Sequence, residues 1–292
     1  MTATRTFAAL VDGAMSTRAQ KSTSRPGPAT TIWATRTPDG PATAEIVEHE
    51  GQFDVRAWGD GADWVIDQAP RLVGADDDLT GFEPHHDIVA SLMRRHPGFR
   101  IGRSDRVLEA LVPAVLGQKV QTAMAKQSLG RLNRFFGEPA PGPHAVWLQP
   151  SAEQLATLPY HEWHRLGVER KRASTIRRAA ERAHRLEEVT SMSRADAEQR
   201  LLAFPGVGPW TAAIVRTAAL GDPDAPMIGD YHLPNTIAWA LAGEARGDDA
   251  RMLELLEPYR GHRGRVTLLL KMGGQKAPKF GPRLAFWGIE DL

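Results

Sequence analysis

Cysteine is absent from this chain of 292 residues. Thiol nucleophiles, zinc-finger sites and cysteine-ligated iron–sulfur clusters are thereby excluded. No apolar run approaches the roughly 18 residues that a membrane span requires. The N-terminus has no apolar stretch ahead of a small-residue cleavage site, so secretion is not expected. An overall charge of one sign is also missing, since 36 Lys+Arg face 35 Asp+Glu. What remains is an ordinary globular composition, 42% hydrophobic and 24% charged, which rules out disorder, collagen-like repeats and a disulfide scaffold. At about 100 to 200 residues per domain, the length points to two domains.

The near-zero net charge hides an uneven distribution. Residues 1–90 carry 7 Lys+Arg and 14 Asp+Glu, a balance of −7, which leaves +8 for the remainder. The positive part is the candidate for a polyanion partner. The first 28 residues mix Ser, Thr, Arg and Pro without a period and read as a mobile arm. Between 29 and 86, short β-rich runs at 31–35, 43–48 and 53–58 alternate with turn signals, and Trp64, Val65, Ile66 and Leu72 suit a helix ending near Gly74. This stretch predicts a small N-terminal α+β domain with an antiparallel sheet. From 87 to 292 the period is helical, with helices expected at 87–95, 104–116, 118–136, 151–157, 160–186, 194–204, 209–220, 233–242, 248–256 and 262–272. No repeat of 20 to 50 residues is visible. The fold class expected is mainly α.

Chemistry concentrates in Leu201-Leu202-Ala203-Phe204-Pro205-Gly206-Val207-Gly208-Pro209-Trp210-Thr211. Two helices joined by Pro-Gly-Val-Gly leave backbone N–H groups free at the start of the second helix, at its positive dipole end. Such a corner can hold one phosphate without reading sequence. It can equally be a helical turn with no ligand. A Gly/Pro loop, Gly221 to Pro226, then leads to Met227-Ile228-Gly229-Asp230-Tyr231 ahead of another helix.

Hairpin, Gly/Pro loop and aspartate in this order resemble the helix-hairpin-helix-Gly/Pro-Asp superfamily of DNA glycosylases, and within it the bacterial 3-methyladenine DNA glycosylase II family. Two further segments carry the resemblance: Val115-Leu116-Gly117-Gln118-Lys119-Val120-Gln121-Thr122-Ala123 and Pro258-Tyr259-Arg260 before an apolar helix. The resemblance implies a helix-hairpin-helix DNA glycosylase fold over 87–292. It also implies a monofunctional base-excision-repair enzyme that flips out alkylated purines and hydrolyses the N-glycosidic bond. Trp210 stands where bifunctional members have a Schiff-base lysine, and Lys119 where an apolar wedge would be familiar. Double-stranded DNA with damaged bases is the implied partner, the chain a monomer, and its setting the cytoplasm at the nucleoid.

The same resemblance assigns residues. Asp230 would be catalytic, stabilising positive charge as the base leaves, although an aspartate there also suits an N-cap for the next helix. Trp210 and Tyr231 would line the base pocket, where an N-alkylated purine carries positive charge for an aromatic face to attract. Both also fit ordinary packing. Gly206, Val207, Gly208, Thr211, Gln118, Lys119, Arg263 and Lys276 would contact DNA, with Lys119 or Gln118 as the wedge. The carbonyls of Leu202, Phe204 and Val207 would hold a monovalent cation, Na+ or K+, with no cofactor required. Two basic runs, 165–185 with a balance of +6 and 260–283 with seven basic residues and no acid, suit either a solvated face or DNA contact. Alternative readings are a glycosylase for another lesion, such as a deaminated purine or uracil, and a non-catalytic DNA-binding protein that keeps the hairpin.

Overall fold

The computed structural model describes residues 2–8, 29–49 and 51–278. Lys279, Arg283, Trp287 and residues 9–28 lie outside them. Four antiparallel strands, β1 (Thr2–Ala8), β2 (Ala29–Thr37), β3 (Gly40–His49) and β4 (Gln52–Gly59), form one sheet in the order β1-β4-β3-β2. The first of these corrects an expectation. Part of what reads as an arm is an outer strand, with Thr2 opposite Trp58 and Ala8 opposite Gln52. Composition gives no warning, because a short Thr/Ala/Arg strand gains its pairing from a neighbour and not from a hydrophobic face of its own.

Alternation in β3 and β4 turns Ala42, Ala44, Ile46, Phe53, Val55 and Ala57 to one face, where they are buried with Trp33. Helix α1 (Ala62–Leu72) covers that face with Ala62, Val65, Ile66 and Ala69. The sheet is then fastened to the helical body by polar contacts. Thr35 Oγ1 donates to the Glu109 carboxylate at 2.9 Å, the Arg36 amide donates to it at 2.8 Å, and Arg36 Nε donates to the Gln149 carbonyl at 2.9 Å.

Twelve helices follow among the described residues: α2 (Asp87–Arg95), α3 (Val107–Leu116), α4 (Thr122–Phe136), α5 (Ala152–Thr157), α6 (Tyr160–Arg165), α7 (Arg170–Ala180), α8 (Ala183–Glu187), α9 (Arg194–Leu202), α10 (Pro209–Leu220), α11 (Leu233–Ala242), α12 (Asp249–Leu256) and α13 (Arg263–Met272). They enclose two hydrophobic clusters. One gathers α3–α10, and the other gathers α2 with α11–α13. Helix α10 contributes to both, Ala212, Val215 and Ala219 to the first and Ala213 to the second. A helix apolar nearly all round is expected to be buried nearly all round.

Two expected helices are shorter or broken, each for a local reason. The single run over 160–186 divides where Gly167 takes φ +76, a conformation that ends α6 and that side chains resist. The run over 118–136 begins only at Thr122, because Lys119 sits at φ +56 and bends the chain first.

One buried ion pair joins the linker after α1 to α13. Arg265 is fully buried and forks onto Asp77, Nη1 to Oδ2 at 2.7 Å and Nη2 to Oδ1 at 2.6 Å. Removing one partner would strand the other charge away from water. Arg265→Ala is expected to lower unfolding stability by about 3–5 kcal/mol, read as a lower urea midpoint. The double variant Arg265→Met/Asp77→Leu is expected to recover much of that loss.

Candidate active site

The hairpin between α9 and α10 is seated on α7. Gly206 has φ +94, and a Cβ placed on it would lie 2.0 Å from Thr175 Oγ1, so only glycine permits this approach. Gly208 is the N-cap of α10, extended at φ −100 and ψ 179 and offering no side-chain cap. Pro209 follows at the first helical position, where its missing N–H leaves nothing unsatisfied. The amides of the first turn of α10 therefore face outward with the helix dipole behind them. Phe204 and Val207 are buried beneath the turn, and the Val207 amide donates to the Phe204 carbonyl at 3.0 Å.

The loop after α3 is tied to this hairpin by one side chain. Gln118 Nε2 donates to the Gly206 carbonyl and to Thr211 Oγ1, both at 2.9 Å. Behind it, Arg172 is buried at the start of α7 and donates from Nη1 to the Leu116 carbonyl at 2.8 Å, satisfying an orphan carbonyl at the end of α3. Burial lowers the pKa of that guanidinium from its usual value, with Glu169 opposing. Beyond Gln118, Lys119 is exposed in the left-handed region, a placement that costs on the order of 1–3 kcal/mol.

Trp210 and Asp230 meet directly. The Trp210 indole Nε1 donates to Asp230 Oδ2 at 3.0 Å, while Asp230 Oδ1 accepts the amides of His232 and Leu233, each at 2.9 Å. Three donors thus fix the carboxylate against α10 on one side and the start of α11 on the other. A carboxylate has about four acceptor positions, so capacity remains for a fourth partner. The Trp210 ring reaches over Gly117, where an added Cβ would come within 3.3 Å of its Cη2. The loop before Asp230 is held in turn by Asp249, whose oxygens accept the Gly229 amide at 3.1 Å. Asp249 escapes sequence reading because it looks like an ordinary acidic residue in the first turn of α12.

No family model matches the chain. A probable bifunctional transcriptional activator/DNA repair enzyme AlkA of Mycobacterium tuberculosis is 37% identical over 170 residues, covering 56% of this chain and 31% of that protein. The chain thus spans about a third of that relative's length. A DNA-3-methyladenine glycosylase of Bacillus subtilis is 26% identical over 203 residues, 67% of each chain. Among solved structures, a 3-methyladenine DNA-glycosylase from Archaeoglobus fulgidus superposes with a TM-score of 0.70 at 18% identity, covering 84% of this chain and 86% of the other. The fold is that of the helix-hairpin-helix DNA glycosylases.

Within that fold the structure brings Asp230, Trp210, Gly117, Gln118 and the hairpin together, and it changes the standing of Gln118 and of three other residues. Thr211 is only 2% exposed and its hydroxyl accepts from Gln118, so that hydroxyl is not free for a ligand. Gln118 is occupied by the hairpin, which leaves Lys119 as the exposed tip of its loop. Tyr231 is 84% exposed, set edge-on to His232 with centroids 4.8 Å apart, and does not pack with Trp210. Arg263, expected on DNA, instead forks onto Asp224, Nε to Oδ1 at 2.8 Å and Nη2 to Oδ2 at 2.7 Å. Its charge is spent on fixing the Gly/Pro loop to α13. The cause is a partner 39 residues away that no local pattern reveals. Lys276 is exposed just past α13.

Two expectations follow from these contacts. Gln118→Ala removes both bonds to the hairpin and is expected to lower stability by about 1–2 kcal/mol, read as a shifted melting curve. For Asp224, burial pushes the carboxyl up, but the N–H groups and charge of Arg263 outweigh it and hold the pKa below the usual value. A lowered carboxyl contributes stability above its unfolded value near 4, lost as pH falls through the folded value. Asp224→Asn is therefore expected to flatten the part of the acid-unfolding curve below about pH 4, measured by equilibrium denaturation across pH.

Proposed function

We propose that this chain is a monofunctional DNA glycosylase of base excision repair that extrudes alkylated, 3-methyladenine-type purines and hydrolyses their N-glycosidic bond. The observation that carries this reading is the Asp230 carboxylate, held by three N–H donors beside an aromatic ring and next to an amide-rich hairpin. The resemblance of the chain to DNA-3-methyladenine glycosylases supports the substrate class.

A base inside a duplex cannot be reached, so the nucleotide is first turned out of the stack at a cost of a few kcal/mol, least for a damaged pair. The hairpin amides hold a backbone phosphate near the rotated nucleotide, and exposed Lys119 enters the vacated space. As the bond from C1′ to the base nitrogen breaks, the bonding pair leaves with the base and positive charge develops on the deoxyribose. The open acceptor position of Asp230 stabilises that charge. A water molecule then adds to C1′ and loses a proton, leaving an abasic site. A base that is already cationic leaves more readily and is drawn to the face of Trp210.

Trp210 stands where Schiff-base chemistry would need an amine, so no covalent intermediate forms. The carbonyls of Leu202 and Val207, with that of Phe204, which takes the Val207 amide and keeps a second lone pair, would hold a monovalent cation; such an ion would add positive charge beneath the phosphate. The protein would work at the nucleoid, and among the described residues no helix is long and apolar enough to cross a membrane.

Asp230→Asn keeps one oxygen for the His232 and Leu233 amides while deleting the charge. Base release from duplexes carrying one defined lesion is expected to fall on the order of a hundredfold or more, with DNA affinity little changed. Excision at an undiminished rate, or borohydride trapping of a protein–DNA adduct with the wild-type chain, would overturn the assignment. Lys119→Ala is expected to slow excision of well-paired lesions more than mispaired ones in single-turnover assays, since mispaired bases need less help to leave.

A further inference from the structure

Helix α7 begins with Arg170 at its first position and has no acidic residue in its first turn, and the carboxylate of its N-cap, Glu169, lies 3.6 Å from buried Arg172. Cations at that end oppose the helix dipole unless an anion is nearby. A groove of about 440 Å³ runs between this helix and the hairpin, lined by Arg170, Lys171, Ser174 and Arg178 together with Pro205 and Gly206. No carboxylate lines it.

Of the other cations of the same basic run, Arg182 and Arg185 are exposed beyond the groove and three are engaged elsewhere. Arg165 pairs with Glu162 at 3.0 Å, Arg172 is buried against the Leu116 carbonyl, and Arg177 Nε donates to the Ala156 carbonyl at 3.2 Å. Arg170, Lys171 and Arg178 are exposed, and among the described residues no carboxylate is paired with them. Arg170 is held in place, its guanidinium 4.3 Å over the Tyr160 ring. The helix itself is fixed against the hairpin, because the Gly206 backbone lies against Thr175. The groove shares Gly206 with the hairpin but includes neither Trp210 nor Asp230.

We propose that this groove is a second backbone-phosphate site, in which the DNA strand gripped by the hairpin continues along α7. Residues 170, 174 and 178 recur every four positions and form one stripe, which spans roughly 12 Å of helix. Successive phosphates on one strand lie farther apart than the roughly 3.4 Å axial rise, so the stripe matches about two of them. Two arginines, a lysine and a serine hydroxyl supply charge and donors without reading bases. The inference rests on the DNA-binding half of the function proposed above, and it is independent of which lesion is excised.

The test measures affinity of the full chain for an undamaged duplex across salt concentrations. Each phosphate contact contributes about 0.9 to the slope of log affinity against log salt, so Lys171→Ala/Arg178→Ala is expected to lower that slope by about 1 to 2 units. Arg182→Ala/Arg185→Ala removes the same charge from exposed positions off the groove and is expected to leave the slope within half a unit of wild type. Single-turnover excision at saturating protein is expected to stay within twofold of wild type in both, which also shows that both variants fold. An unchanged slope in the groove variant, or equal losses in the two doubles, would overturn the groove and leave the glycosylase reading standing. A wild-type chain that fails to bind duplex DNA would overturn both. Binding with the expected slope change but no base release would sustain the groove and overturn the proposed chemistry.

Discussion

The burial of α10 on both sides is the constraint on which the rest of this molecule depends. Its sequence is apolar nearly all round, and it lends Ala212, Val215 and Ala219 to one hydrophobic cluster and Ala213 to the other. A helix so enclosed can neither rotate nor slide without opening a core, because interiors are close-packed. Everything at its N-terminus inherits that fixity. Gly208 and Pro209 start it, Trp210 projects from its first turn, and Thr211 turns inward to meet Gln118. The donors and the ring that define the candidate site are therefore positioned by the packing of a whole helix and not by a flexible loop.

Around that axis, long-range polar contacts do the fastening. Arg172 ties α7 to the end of α3, Arg263 ties α13 to the loop after α10, and Arg265 ties α13 to the linker that follows the sheet. A fourth, Glu187, accepts the amides of Val107 and Leu108 at the start of α3 from 80 and 79 residues away. Burial raises the pKa of that carboxyl from its usual value despite the two amides. Arginine suits three of these four roles because its planar fork satisfies two acceptors with one charge.

This division explains what the sequence can and cannot disclose. The periodic helices 209–220 and 233–242 are legible to the residue, since apolar spacing and glycines at their ends encode them locally. The resemblance to the glycosylase superfamily assigns Trp210 and Asp230 to one site, and the structure joins them by a hydrogen bond. What stays hidden depends on partners distant in the chain. Arg263 looks like one member of a basic run, and only Asp224 makes it a fastening. Thr211 looks available until Gln118, 93 residues earlier, is seen to cover it. The break at Gly167 is different in kind, a local signal outweighed by strong helical periodicity on either side.

The bond from Gln118 to the hairpin carries a mechanical meaning. Because one amide nitrogen bridges the Gly206 carbonyl and the Thr211 hydroxyl, the loop that bears Lys119 and the hairpin turn are joined into one unit. On the proposed reading, discrimination then lies with the DNA: the joined unit presses on every base pair alike, and the pairs that yield are the weakly stacked ones. A rigid probe reports the softness of what it touches, and its sensitivity is set by how little it bends.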